Sequence, residues 1–297
     1  MKILAITPQG KHDYLVSSVI EGLKNLNIEL YCTNEGNGSI NLVNDNQFIN
    51  HYQTCDYIFA FWGKSIYNGI PEPKYYLIDK VNGWHKTIYI DGSEYNYTGF
   101  PNKTSEQLHP LFKDKCKWYF KRECSIDHLK TNIIPLPFSS IDSDFLNTQV
   151  NKDIDVLCSF GQDNTGMRKI AMEACMELKN EGYNIVIGIV NNYLHTIHRS
   201  WISIDAHGGG ECNARMWTIM ANKSCLFAQQ YNIVIPNLID NDHYVSWNSK
   251  EDLKNKIRLY LGNKEKLSYI IKNSYSNILQ NHTSVKRVEY IFDKIKL

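Results

Sequence analysis

Short apolar runs alternate with amphipathic stretches along this chain of 297 residues. Residues 2–6 and 28–32 read as strands on either side of a helix over 16–26, because the first are short continuous apolar runs and the second repeats at helical spacing. A low-complexity loop over 34–46 follows. Further strands are expected at 56–61, 87–90 and 118–121, and 132–137 leads into a break. The stretch 135–153 carries two prolines, a serine cluster and a polar run, the composition of a linker. The alternation then restarts: strand 154–160, helix 168–180, strand 184–189, strand 201–205, a glycine-rich loop, helix 215–221 and strand 224–229. Helices over 250–261, 264–280 and 282–295 close the pattern, and no internal repeat is evident. Strands alternating with helices predict largely parallel, doubly wound sheets. Two successive α/β stretches of similar size predict two Rossmann-like domains facing an interdomain cleft. Their bounds are placed at 1–145 and 146–281, with a last helix over 282–297 packing back on the N-terminal domain.

Composition narrows the function classes. Lys+Arg is 32 against Asp+Glu 31, a net charge of +1, which argues against nucleic-acid binding through bulk charge. Met1 leads directly into a strand with no charged, apolar leader, so neither a signal peptide nor a membrane span is expected. None of the eight cysteines forms a C-x-x-C pair and several lie in apolar runs, so they read as reduced, buried residues of a cytoplasmic protein. The chain has 19 tyrosines against 11 phenylalanines; these suit a sugar-binding wall, although strand filling by aromatics accounts for them more simply.

Ligands of doubly wound sheets bind outside the carboxyl ends of the strands, so the polar residues after each strand are the candidates. After 154–160 come Gly161 and Gly166, with Arg168 opening a helix, a pattern that suits an anion or an ordinary strand-to-helix turn. After 201–205 the chain reads Asp205-Ala206-His207-Gly208-Gly209-Gly210-Glu211, with Arg215 on the first turn of the next helix. Three glycines let backbone approach a ligand closely. Beside the first loop, this one points to a diphosphate pocket. In the first half, Asp91 and Glu94 follow a strand, where a carboxylate serves as a general base or merely ends an Asp-Gly turn. His12 and Asp13 are weaker candidates. His243 reads as structural, and His195 and His198, three apart, have no third ligand to make a metal site. A nicotinamide-dependent oxidoreductase ranks last: after Ile6 the chain reads Thr7-Pro8-Gln9-Gly10 rather than G-x-G-x-x-G.

The order of these segments over about 154–290 resembles glycosyltransferase family 90, the capsule-associated and protein O-glucosyltransferase-like enzymes. The resemblance is carried by Ile204-Asp205 with its glycines, Arg215, the strand ending in Gln229, and His243-Tyr244-Val245 ahead of Glu251-Asp252-Leu253. Phe120-Lys121-Arg122-Glu123 and the segment 133–138 are similar to the CgeB-like transferases. The resemblance implies a GT-B fold and an inverting transferase. It would move glucose or xylose from a UDP-sugar to a hydroxyl of a glycan or glycoprotein acceptor, with no cofactor and no metal required. Arg168 and Arg215 would hold the diphosphate, the 205–210 loop would contact the donor, and Asp91 or Glu94 would be the base. Ala206 stands where the family usually has glycine. Thr218 stands where many retaining GT-B enzymes have glutamate, which favours the inverting reading. A non-catalytic nucleotide- or glycan-binding protein on the same fold is the alternative.

Overall fold

The computed structural model describes residues 1–8, 13–34, 41–62, 73–93, 114–148, 150–161 and 165–296. They form two compact units. One comprises Met1–Ser139, Ile233–Ile235 and Ser284–Leu297; the other comprises Ser140–Asn232 and Pro236–Thr283.

The first unit is built on a parallel sheet of seven strands: β1 (Lys2–Ile6), β2 (Glu29–Cys32), β3 (Asn41–Leu42), β4 (Tyr57–Trp62), β5 (Thr87–Asp91), β6 (Trp118–Lys121) and β7 (Ile133–Pro135), in the order β3-β2-β1-β4-β5-β6-β7. Helices α1 (Tyr14–Asn25), α2 (Asp45–Tyr52), α3 (Tyr76–Lys80) and α4 (Ile126–Leu129) lie between strands. Asp13 starts α1 by accepting the Val16 amide at 2.9 Å, which satisfies one of the open N–H groups of the first turn. Part of the tyrosine excess goes into the core here: Tyr75, Tyr89 and Tyr119 are buried, with Tyr89 and Tyr119 ring centroids 5.1 Å apart.

The second unit has a parallel sheet of β8 (Ile154–Cys158), β9 (Ile185–Ile187), β10 (Ser200–Asp205), β11 (Cys225–Gln229) and β12 (Val245–Trp247), ordered β12-β11-β10-β8-β9. Its helices are α5 (Gly166–Asn180), α6 (Tyr193–Arg199), α7 (Ala214–Ala221), α8 (Lys250–Leu261) and α9 (Lys264–Asn281). The sequence reading divides the chain at 145/146, whereas the second unit begins at Ser140. The reason is a set of hydrogen bonds. Asn222 donates to the Asp144 carbonyl and accepts the Leu146 amide at 3.1 Å, and the Thr218 hydroxyl donates to the Asp144 carboxylate at 3.0 Å.

The last helix, α10 (Ser284–Lys294), belongs to the first unit and packs on α1. Gly22 is the point of approach: a Cβ there would lie 2.2 Å from the Ser284 carbonyl oxygen. Backbone cannot yield as a side chain can, so Gly22→Ala should force α1 and α10 apart. A loss of about 1–3 kcal/mol is expected from overpacking of this kind, read as a lowered urea midpoint. An unchanged midpoint would mean that the two helices separate freely.

All eight cysteines are buried thiols. No helix among the described residues is long and apolar enough to cross a membrane.

Candidate functional site

The strand order of the second unit reverses between β8 and β10: from β8 the sheet grows to β9 on one side and to β10, β11 and β12 on the other. The loops leaving two such strands diverge and open a crevice at their carboxyl ends. The Ser159-Phe160-Gly161 segment and the 205–210 loop are the two loops that leave β8 and β10. A cavity of about 390 Å³ lies there, lined by Ser159, Phe160 and Gly161, by Ile189, Val190 and Tyr193, and by Ala214, Arg215 and Thr218 at the start of α7. Its composition is mixed: apolar walls, three hydroxyls and one guanidinium.

Arg215 is held from behind. Its Nη1 donates to Asp205 Oδ1 at 2.9 Å, and Asn213 Nδ2 donates to both Asp205 oxygens at 3.1 and 2.9 Å. Asp205 is 1% exposed, while the Arg215 side chain is 18% exposed. The carboxylate is thus the buried anchor and the guanidinium the more exposed partner. Burial pushes the Asp205 carboxyl up, and Arg215 and Asn213 oppose that shift by stabilising its charge. The Tyr193 hydroxyl oxygen accepts from the same guanidinium, and burial raises its pKa above the ordinary range.

The ring of Phe160 has two arginines near it. The Arg215 Cζ is 5.0 Å from its centroid and the Arg168 Cζ is 5.9 Å away. Arg168 Nε is buried with no hydrogen-bond partner among the described residues. Two guanidiniums near one ring, with Asp205 paired to Arg215 and no ion pair to Arg168 among the described residues, make a place that suits an anion. Gly208 contributes by its missing side chain: a Cβ there would lie 2.7 Å from Arg168 Nη2. Gly161 has open space where its Cβ would be. Gly166 opens α5 at φ +53, a left-handed conformation that glycine adopts without strain.

The other predicted donor contacts sit differently. His207 turns its ring onto Tyr231, with centroids 5.6 Å apart, and its amide donates to Gln229 Oε1 at 3.1 Å. Burial pushes its imidazole pKa down against Glu211 and Asp205, so the ring is neutral near pH 7. Gly209 and Gly210 continue the loop, with the Gly208 amide bonded to the Gly210 carbonyl at 3.1 Å, and neither lines the cavity. Phe160 and Tyr193 were not singled out from sequence. One reads as a strand end and the other opens a short helix whose register the pattern does not reveal.

In the first unit, Asp91 ends β5 fully buried. Its Oδ2 accepts from the Tyr119 hydroxyl at 2.6 Å and from Lys121 Nζ at 3.0 Å, and its Oδ1 accepts the Ser93 amide at 2.9 Å. Lys121 is itself fully buried and also donates to Ser93 Oγ at 2.9 Å. The carboxylate is therefore enclosed by donors and is not presented to an acceptor in this arrangement. Glu94 and His12 lie outside the described residues. In the neighbouring segment, buried Arg122 donates to buried Glu123 at 3.0 Å. His243 Nδ1 accepts the Ile239 amide at 3.1 Å. Among the described residues no three of His, Cys, Asp and Glu converge as metal ligands.

Comparison with known proteins bears on this geometry. The family model described as "Glycosyl transferase-like" matches residues 176–293, which span the 205–210 loop, Arg215 and α7. No curated protein is found as a sequence relative. A glycosyltransferase from Rickettsia africae superposes at TM-score 0.61 with 12% identity, covering 99% of this chain and 98% of that one. Anabaena HepE, in complex with UDP and glucose, superposes at TM-score 0.63 with 12% identity over 100% of this chain and 99% of that one. A protein from Listeria monocytogenes described as a UDP-N-acetylglucosamine 2-epimerase superposes at 0.54 with 9% identity, covering 100% and 96%. Two parallel Rossmann-like sheets in this order, matched along their whole length, give the chain the GT-B fold, with glycosyl transferase-like sequence over residues 176–293.

Proposed function

We propose that the protein is a glycosyltransferase that moves a sugar from a UDP-sugar, with glucose or xylose as the sugar, to a hydroxyl of a glycan or glycoprotein acceptor. One observation carries the reading: Arg215, fixed by buried Asp205 at the switch point of the second sheet, lines the cavity together with Phe160, and the Arg168 guanidinium stands over that same ring. Charge develops on the diphosphate as the sugar leaves. Donors already fixed in place stabilise that charge without reorganising, which is the largest contribution an enzyme of this kind makes. Because two arginines supply the positive charge, we assign no metal and no cofactor to the step. Phe160, Ile189 and Val190 offer apolar walls suited to the flat nucleoside.

The finer reading is transfer with inversion, as the likeness to glycosyltransferase family 90 and the CgeB-like proteins suggests. It needs a base on the acceptor side, and the segment after β5 supplies the candidates. The enclosure of Asp91 by Tyr119, Lys121 and Ser93 favours Glu94. Buried thiols suit a reducing, cytoplasmic setting.

A second reading is a nucleotide-binding protein without catalysis. Thr218 motivates it: its hydroxyl is spent on Asp144 at 3.0 Å, where a glutamate would place a carboxylate. The fold is also shared by an epimerase, so the assay must follow sugar transfer as well as UDP release. With UDP-glucose and UDP-xylose, UDP should raise the melting temperature, and the sugar should appear on an acceptor in step with UDP release. Stabilisation by UDP without transfer to any acceptor would favour the binding protein. No stabilisation by UDP, GDP or their sugars would overturn both readings.

A further inference from the structure

The second unit has another hollow, of about 490 Å³, between α9 and the loop from Asn237 to His243. It shares no lining residue with the cavity at β8 and β10. Its volume lies within the about 300–1,000 Å³ usual for small-molecule sites. One wall is a face of α9, where Tyr269, Asn273, Ser276, Asn277 and Gln280 recur at helical spacing.

The chemistry of the lining is selective. No lysine or arginine is among the described residues that line it, so a phosphate or carboxylate ligand finds no cation. Its one carboxylate, Asp242, already accepts from the Tyr269 hydroxyl at 3.0 Å and from Asn273 Nδ2 at 2.7 Å. An anionic ligand would meet that charge, and a lipid would strand the amides. What remains is a row of neutral donors and acceptors. Asn277 Nδ2 donates to the Asn237 carbonyl at 2.7 Å, and Asn281 Nδ2 donates to Asn277 Oδ1 at 2.8 Å, so the amides are held in place. The Ser276 hydroxyl and the Gln280 amide make no hydrogen bond to another described residue. The facing loop is shaped by two left-handed asparagines, Asn237 at φ 60 and Asn241 at φ 62, a backbone cost that persists only where surroundings enforce it. At the rim, Tyr269 and Ile239 are 57% and 58% exposed, offering a ring and an aliphatic surface to solvent.

Fixed amides beside an exposed aromatic ring, without formal positive charge, match a neutral polyhydroxylated ligand. We propose that this hollow is a second carbohydrate site, which holds a neutral oligosaccharide with one sugar ring against Tyr269 and its hydroxyls on the amides of α9. The inference stands apart from the donor reading, since it uses neither Arg168 nor Arg215.

Saturation-transfer NMR on the full chain tests it, with maltohexaose, cellohexaose and chitohexaose as probes, each with and without saturating UDP. The expected result is transfer to at least one probe, kept in the presence of UDP. It should weaken at least tenfold in Tyr269→Ala and in Ser276→Trp, the second of which fills the hollow from its wall. Thermal melts equal to the parent would show that both variants fold. If either melts early, Gln280→Ala, at an exposed helix position, replaces it. Absence of transfer to all three probes, loss of the signal on adding UDP, or a signal unchanged in folded variants would each overturn the proposal.

Discussion

Arg215→Ala is expected to cut sugar transfer by about 10²–10³-fold, the scale of losing one preorganised donor to developing negative charge. Two effects combine. The cavity loses its guanidinium, so UDP itself binds more weakly. Asp205, 1% exposed, loses its ion-pair partner and keeps only Asn213. Breaking a buried pair from one side costs about 3–5 kcal/mol. The partial exposure of Arg215 puts this case at the lower end, and urea denaturation measures it. Arg215→Lys separates the two effects, because it keeps the charge and loses the planar fork. It should recover part of the UDP affinity and less of the transfer rate. UDP affinity measured by calorimetry gives the decisive reading. If Arg215→Ala lowers stability and leaves UDP affinity at the parent value, Arg215 is a strut for Asp205 and not a ligand to the diphosphate.

Asp91→Asn is expected to destabilise the first unit by about 3–5 kcal/mol, because it leaves fully buried Lys121 charged and without its counter-ion. The pairing with Ser93 Oγ at 2.9 Å cannot replace a carboxylate. The double variant Asp91→Asn/Lys121→Met should regain much of that loss, since neutral groups in place of a buried pair are often nearly neutral in stability. The double variant also decides the catalytic question. If Glu94 is the base, it keeps transfer within about tenfold of the parent, while Glu94→Gln loses it, as expected for removal of a general base, worth about 10²–10⁴-fold. A folded double variant with transfer reduced more than 10³-fold would instead make Asp91 the base, reached through an opening of Tyr119 and Lys121.

Much of the fold was legible because parallel strands buried on both faces are short apolar runs, as in 118–121 and 225–229, and the helices between them repeat at a different period. Strand β12 was read only as part of a His-Tyr-Val segment. Three residues, Val245–Trp247, are too few to show a period. The loops after β8 and β10 were legible for a topological reason: polar residues and glycines after a strand stand out in sequence, and the sheet order then puts two such loops side by side. The environment of Asp91 was not legible. Its partners Tyr119 and Lys121 lie 28 and 30 residues further on and meet it only through the register of β5 with β6. The same limit hid Phe160, whose role depends on Arg168 and Arg215 arriving from two different helices.

The return of α10 to α1 sets an order on biosynthesis. Residues 284–297 leave the ribosome after the whole of the second unit, although they belong to the first. Domains fold as units during synthesis. The second unit therefore has all its residues in hand while α1 still lacks the helix that meets it at Gly22. In this chain the half that starts first is completed last.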